Sequence, residues 1–99
     1  MKDLISGLNK NFESRIRLGV MSVLMVSDWV EFTTLKETLD ITDGNLASHI
    51  KALEKENYIE VKKQFIRNKP NTSYRVTLVG RKAFEEHLKT LEEFIRRGN

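Results

Sequence analysis

The sequence contains no cysteine, a single proline and no long hydrophobic run. Without cysteine, the chain has no disulfide scaffold, no thiol nucleophile and no cysteine-ligated zinc or iron–sulfur site. The longest nearly apolar run, residues 18–26, falls well short of the about 20 residues that a membrane-spanning helix needs. The first residues also lack the hydrophobic stretch of a signal peptide. We therefore expect a cytoplasmic protein without a membrane partner.

Acidic residues are absent from one segment, residues 61–84. Its 24 positions carry seven basic residues: Lys62, Lys63, Arg67, Lys69, Arg75, Arg81 and Lys82. The rest of the chain holds 10 basic and 14 acidic residues, so the positive charge is concentrated in this segment. Concentrated positive charge is typical of a protein that binds a polyanion. A solvated charged hairpin without any partner is the alternative, and charge alone does not decide between the two.

Apolar periodicity and turn-forming residues divide the 99-residue chain into the short elements of one domain. In chain order these are a weak amphipathic helix within 1–11, a helix at about 12–27, a β-prone stretch at 29–32, helices at 33–39 and 43–57, strands at 58–66 and 73–78, and a final helix at about 77–97. The segment between the strands, 67–72, has the composition of a turn, and Pro70 is expected to stiffen it. Two short helices followed by a hairpin predict an α+β fold, the winged helix-turn-helix.

Helix ends and one buried helix face can also be predicted. The side chains suited to end these helices are, in chain order, Asn11 or Ser14, Thr33, Thr77 and, as a left-handed residue after helix 43–57, Asn57. Within helix 43–57, Leu46, Ile50 and Leu53 recur at the spacing of one buried face. The opposite face of that helix is therefore expected to meet solvent or a partner.

Residues 35–59 (LKETLDITDGNLASHIKALEKENYI) resemble the recognition unit of the MarR/ArsR-type winged-helix transcriptional regulators of bacteria and archaea. The hairpin and residues 77–84 (TLVGRKAF) continue the resemblance, which covers about 14–94 and is closest to short, single-domain members. It implies a homodimer that binds double-stranded DNA at an inverted repeat and usually represses transcription. It also implies that helix 43–57 reads the DNA and that the hairpin is the wing.

The helical wheel identifies the residues of the recognition helix that can reach DNA. The expected contacts are Asp43, Gly44, Asn45, Ser48, His49, Lys51, Ala52 and Lys55. Asn45 is the best candidate for base reading, because its amide can pair bidentately with adenine; capping of its own helix is the alternative. His49 can instead be an ordinary surface histidine or a pH-sensitive contact.

Two further segments are expected to contact the DNA backbone. At the start of the preceding helix these residues are Thr33, Thr34 and Lys36, since a helix N-terminus favours phosphate; simple capping is the alternative for the threonines. In the wing they are Lys62, Lys63, Arg67, Asn68, Lys69, Asn71, Thr72 and Arg75. Arg67 is the residue expected to enter a narrow minor groove, whereas Arg75 can instead pair with Glu60.

The final helix carries an apolar stripe that is too hydrophobic to remain in water. It can pack on the first helix of the same chain or on a second copy, and we expect a homodimer in which residues of about 1–13 and 78–97 take part. The expected interface residues are Leu4, Leu8, Phe84, Leu88, Leu91, Phe94 and Ile95. Two copies would place two reading helices one DNA turn apart.

No catalytic pattern is present. His49 and His87 are the only histidines, neither has a carboxylate or serine at a telling spacing, and no glycine-rich phosphate loop occurs. We therefore expect a protein that is not an enzyme and has no cofactor or metal, and whose effector, if it has one, is small and apolar and binds near the dimer interface. A sequence-specific DNA-binding regulator is the favoured function. A winged-helix protein-interaction module and a non-specific nucleic-acid binder are the alternatives.

Overall fold

The computed structural model describes residues 2–97, so Met1, Gly98 and Asn99 of the expected 1–99 domain lie outside the described residues. The helices are α1 (Lys2–Gly7), α2 (Arg15–Met25), α3 (Phe32–Leu39), α4 (Asp43–Lys55) and α5 (Leu78–Arg97), with a 3₁₀ turn at Lys10–Phe12. The strands are β1 (Val30–Glu31), β2 (Ile59–Ile66) and β3 (Lys69–Val76), which form an antiparallel sheet in the order β1-β3-β2. This order confirms the α+β winged helix-turn-helix predicted from the sequence.

Side-chain caps fix most of the helix ends where the sequence predicts them. The Ser14 hydroxyl accepts hydrogen bonds from the backbone N–H groups of Ile16 and Arg17 at the start of α2. The Thr77 hydroxyl accepts from the backbone N–H of Gly80 and donates to the carbonyl of Asn57. Asn57 has a φ of 61°, which confirms the left-handed residue expected after α4.

The predicted cap of α3 is wrong. The helix begins at Phe32, and its N-cap position is Glu31, whose side chain makes no capping hydrogen bond. Thr33 therefore lies inside the first turn. The physical reason is the pairing of β1, because Val30 and Glu31 face Tyr74 and Ser73 of β3 and the chain enters the helix directly from that strand.

The predicted six-residue turn of the wing is also wrong. Only Arg67 and Asn68 form it, with φ values of 53° and 65°, the pattern of a two-residue hairpin turn. Residues 69–72 continue as β3, and Pro70 pairs with Phe65. Bond alternation from the turn directs the nitrogen of Pro70 away from β2, so its missing N–H interrupts no bond between the two strands.

One core joins the helices to the base of the wing. Its buried hydrophobic residues are Phe12, Val20, Met21, Leu24, Val30, Leu35, Leu46, Ile50, Leu53, Ile59, Tyr74, Val76 and Phe84. Leu46, Ile50 and Leu53 confirm the predicted inward face of α4. This core holds α4 and the wing in one orientation, which sets the geometry of the surface described next. Among residues 2–97, no helix is both long and apolar enough to cross a membrane.

Candidate nucleic-acid interface

The face of α4 opposite the core is open to solvent. Its exposed residues are Gly44, Asn45, Ser48, Lys51 and Lys55, and we call this set the reading face. A Cβ placed on Gly44 would meet no atom within 4 Å, so packing inside the protein does not require a glycine there. The reading face is therefore flat near its N-terminal end and basic near its C-terminal end.

Asn45 does not cap its own helix. The cap is Thr42, whose hydroxyl accepts a hydrogen bond from the backbone N–H of Asn45 at 3.3 Å. Within residues 2–97, the amide side chain of Asn45 has no hydrogen-bond partner. The structure thus leaves that amide available to a ligand and removes capping as the reason for its presence.

His49 and Ala52 lie on the flank of the reading face and are half-buried. The Nδ1 atom of His49 accepts a hydrogen bond from Nε of Arg17 on α2 at 2.9 Å. Burial, and then the charge of Arg17, lower the pKa of His49 below its ordinary value. With Nδ1 occupied as an acceptor, the neutral ring carries its proton on Nε2, which can donate to DNA. The sequence indicated His49 but gave no sign of Arg17.

Lys36 and Asp43 pair with each other. The distance between Nζ of Lys36 and Oδ1 of Asp43 is 2.9 Å, and this bond, followed by the charge of Asp43, raises the pKa of Lys36. The pair bridges the end of α3 and the start of α4, and both side chains remain accessible. Thr33 and Thr34 lie one turn earlier on α3 and are exposed.

Strand pleating separates the predicted wing residues into two faces. Ile59 and Val61 of β2 pair with Val76 and Tyr74 of β3 and pack on the core beneath α4. Because side chains alternate along a strand, the next members of this face are Lys63 and its partner Thr72. We call this side the α4-side face of the wing. The predicted residues on the opposite, outer face are Lys62, Lys69, Asn71 and Arg75.

A tryptophan organises the outer face. Nζ of Lys62 and Cζ of Arg75 lie 4.4 and 4.5 Å from the ring centroid of Trp29. Arg75 also pairs with Glu60, as the sequence allowed, and its Nη1 lies 3.6 Å from Oδ1 of Asp28. The bond to Glu60 is the largest of the effects that raise the pKa of Arg75. These contacts engage both cations away from the α4-side face, and the sequence did not reveal the role of Trp29.

The predicted dimer residues divide by burial. Leu4 and Phe84 are buried within the protomer, and Leu8 and Phe94 are half-buried. The stripe that begins at Phe84 in the core continues along α5 beyond it, where the exposed members are Leu88, Leu91 and Ile95. Ile5 of α1 is also exposed, and α1 packs against α5. Residues 2–97 bring together no three histidine, aspartate or glutamate side chains able to hold a metal ion.

Comparisons with known proteins concern most of the chain. The sequence pattern of the winged helix DNA-binding domain family matches residues 16–95. An uncharacterized protein of Methanocaldococcus jannaschii is 38% identical over 79 residues, which span 80% of this chain and 86% of that protein. The structure of a transcriptional regulator homologue from Pyrococcus horikoshii has a TM-score of 0.90 and 28% identity, and the match covers 100% of this chain and 99% of that one. A structure described as a MarR-like transcription regulator from Bacillus cereus shares the fold, with a TM-score of 0.70 and 22% identity over 97% of this chain and 71% of that one.

Proposed function

This chain belongs to the winged helix DNA-binding domain family, and from that premise we propose that it is a transcriptional repressor that binds an inverted repeat as a homodimer. The family consists of DNA-binding domains and not of enzymes, which confirms that no catalytic activity is to be expected. The resemblance to MarR-type regulators is likewise confirmed, since a MarR-like regulator shares the fold. DNA binding and a place among transcriptional regulators thus precede the finer proposal made here.

One observation carries the proposal for DNA. The exposed polar face of α4 and the α4-side face of the wing are held by one core, and the cations on them are not paired with carboxylates. A helix inserted into the major groove would present Asn45 and Ser48 to base edges, with Lys51 and Lys55 beside the phosphates. The wing would then reach the adjacent minor groove, where Arg67 suits the negative potential.

The remaining predicted contacts serve the edges of this interface. Thr33 and Thr34 lie at the start of α3, where free backbone N–H groups favour phosphate. Lys36 would exchange its partner Asp43 for a phosphate, which leaves the carboxylate to solvent. Nε2 of His49 would donate to a base or a phosphate from the flank of α4.

Dimerisation is proposed from the apolar surface at the ends of the chain. Leu88, Leu91 and Ile95 follow one another on a single stripe of α5 and remain exposed, and Ile5 is 61% exposed on the neighbouring α1. Burying such a stripe against a second copy removes apolar area from water at both copies. The terminal helices would therefore build the two-fold interface, and each copy would read one half of the DNA site.

Repression is the outcome that the MarR-type resemblance implies for a dimer of this kind. A dimer seated on about two turns of duplex excludes other proteins from the same DNA. The proposal requires no catalytic or cofactor chemistry from the chain.

Selection from a randomised duplex library, with the purified protein near physiological salt, tests the proposal. We expect enrichment of an inverted repeat with half-sites about 10 base pairs apart. Binding without enrichment would support the non-specific binder, and no retention of duplex would support the protein-interaction module.

Sedimentation of the protein alone tests the dimer. Leu91→Arg should yield a monomer, because the charge would enter an apolar interface. Val26→Arg is the matched control, since Val26 is an exposed apolar residue at the end of α2, outside the proposed interface. A monomeric wild type, or an unchanged dimer in the Leu91 variant, would contradict the interface.

A further inference from the structure

A large aromatic side chain lies exposed near the tip of the wing. Phe65 is 76% exposed, and its cross-strand partner is the exposed Pro70. Neither residue belongs to the core cluster. Exposed apolar surface of this kind marks a contact site when it recurs in one place, and here two apolar side chains stand opposite each other.

The surroundings of Phe65 are basic. The acid-free segment 61–84 includes the entire distal part of the wing, where Lys63, Arg67 and Lys69 lie within four residues of Phe65. An apolar tip inside a ring of cations is complementary to a polyanion that has an apolar interior. Duplex DNA has this construction, with phosphates outside and stacked bases within.

Phe65 also lies on the side of the wing that the duplex would meet. Along β2, Ile59 and Val61 pack beneath α4, and the alternation of side chains continues this face through Lys63 to Phe65. Ile66, which is 44% exposed, belongs to the outer face. DNA held by α4 would therefore face Phe65 and not Ile66.

We propose that Phe65, supported by Pro70, is an apolar wedge that enters the minor groove beside the recognition site and partly unstacks one base step. The inference deepens the proposed function and rests on it. Apolar side chains inserted in this way kink a duplex by about 20–90° towards the major groove. Lys63 and Arg67 would hold the phosphates on the two sides of the opened step.

The wedge adds a source of sequence preference outside the reach of α4. Pyrimidine–purine steps such as TA and CA unstack most easily, whereas A-tracts are stiff. A site with a flexible step under the wing should therefore bind more tightly than the same half-sites with a stiff step there.

The experiment uses the full chain and the duplex that the wild-type protein enriches from the library. The duplex carries 2-aminopurine at successive steps under the wing, and a donor and an acceptor dye at its ends. Wild-type protein should raise 2-aminopurine fluorescence at one step and bring the dyes closer. Phe65→Ala should abolish both signals and weaken binding about tenfold, the scale of one lost base–aromatic contact.

Two variants control for the loss of an apolar side chain. Phe65→Leu keeps an apolar wedge and should retain the bend. Ile66→Ala removes an exposed apolar side chain from the outer face and should change affinity by no more than about twofold. Because Phe65 is so exposed, its replacement should leave the thermal unfolding of the protein unchanged.

Two results would overturn the inference in different ways. If wild-type protein binds its duplex and Phe65→Ala binds and bends it equally well, the wedge is refuted and the proposed function stands. If wild-type protein binds no duplex, the proposed function fails and the wedge fails with it.

Discussion

Neighbouring lysines on opposite faces of the wing offer the sharpest test of the interface. Lys63 lies on the α4-side face, whereas Lys62 lies over the ring of Trp29 on the outer face. The two residues have the same chemistry and adjoin each other in the chain. If DNA meets the α4-side face, Lys63→Ala should weaken electrostatic binding and Lys62→Ala should not.

The expected size follows from counterion release. Each phosphate contact contributes about 0.9 to the slope of log affinity against log salt, so a dimer that loses two Lys63 contacts should lose about 1.8. Between about 50 and 200 mM salt, the ratio of affinities should therefore shrink about 12-fold relative to wild type. The slope for Lys62→Ala should equal that of wild type.

Fluorescence anisotropy on the enriched duplex, at four or more salt concentrations, measures these slopes. Urea denaturation of each variant separates folding from binding. Lys62→Ala loses the contact with Trp29, so its free energy of unfolding should fall by about 0.5–1 kcal/mol. Its protein must be shown to be folded at the assay temperature.

Equal slope changes in the two variants would show that the wing does not present one face to the duplex. A slope change confined to Lys62→Ala would place the DNA on the outer face. Either result would refute the geometry proposed here.

Three further predictions concern single residues. Asn45→Ala should weaken binding to the enriched site by about 1–3 kcal/mol and to random duplex very little, and equal losses in a competition assay would remove Asn45 from base reading. Gly80→Ala should lower the free energy of unfolding in urea by about 3 kcal/mol, because its Cβ would lie 2.0 Å from the carbonyl oxygen of Tyr58; Gly44→Ala, which meets open space, is the control, and a loss below about 0.5 kcal/mol in the Gly80 variant would contradict the reported packing. Burial lowers the pKa of His87 from 6.5, so the unfolded chain takes up a proton before the folded one and stability should fall as pH drops below about 6.5; His87→Gln should flatten this fall between about pH 7.5 and 5.5, and an unchanged pH profile would count against it.

The sequence was sufficient where neighbouring residues determine the structure. The inward stripe of α4, the cap at Ser14 and the left-handed Asn57 each depend on residues within about one or two helical turns. Such interactions recur whatever the rest of the chain does, so periodicity and capping chemistry predict them. The order of elements follows, and with it the winged helix-turn-helix.

Sequence reasoning failed where strand pairing overrides local composition. Thr33 has the chemistry of a cap, but the pairing of Val30 and Glu31 with β3 starts α3 earlier. The segment around Pro70 has the composition of a turn, but its pairing with β2 continues the strand to Lys69. Register is a property of two segments together, and neither contains it alone.

By itself, the sequence determined the fold class, the reading helix and the concentration of positive charge in the wing. Only the tertiary structure decided which of those charges remain available to a ligand. Arg17 and His49 are 32 residues apart in the chain and meet through the packing of α2 on α4. Trp29 likewise engages Lys62 and Arg75 on the outer face because β3 joins the strands that carry them. Contacts between distant segments arise from the shared core, and local periodicity contains no record of them.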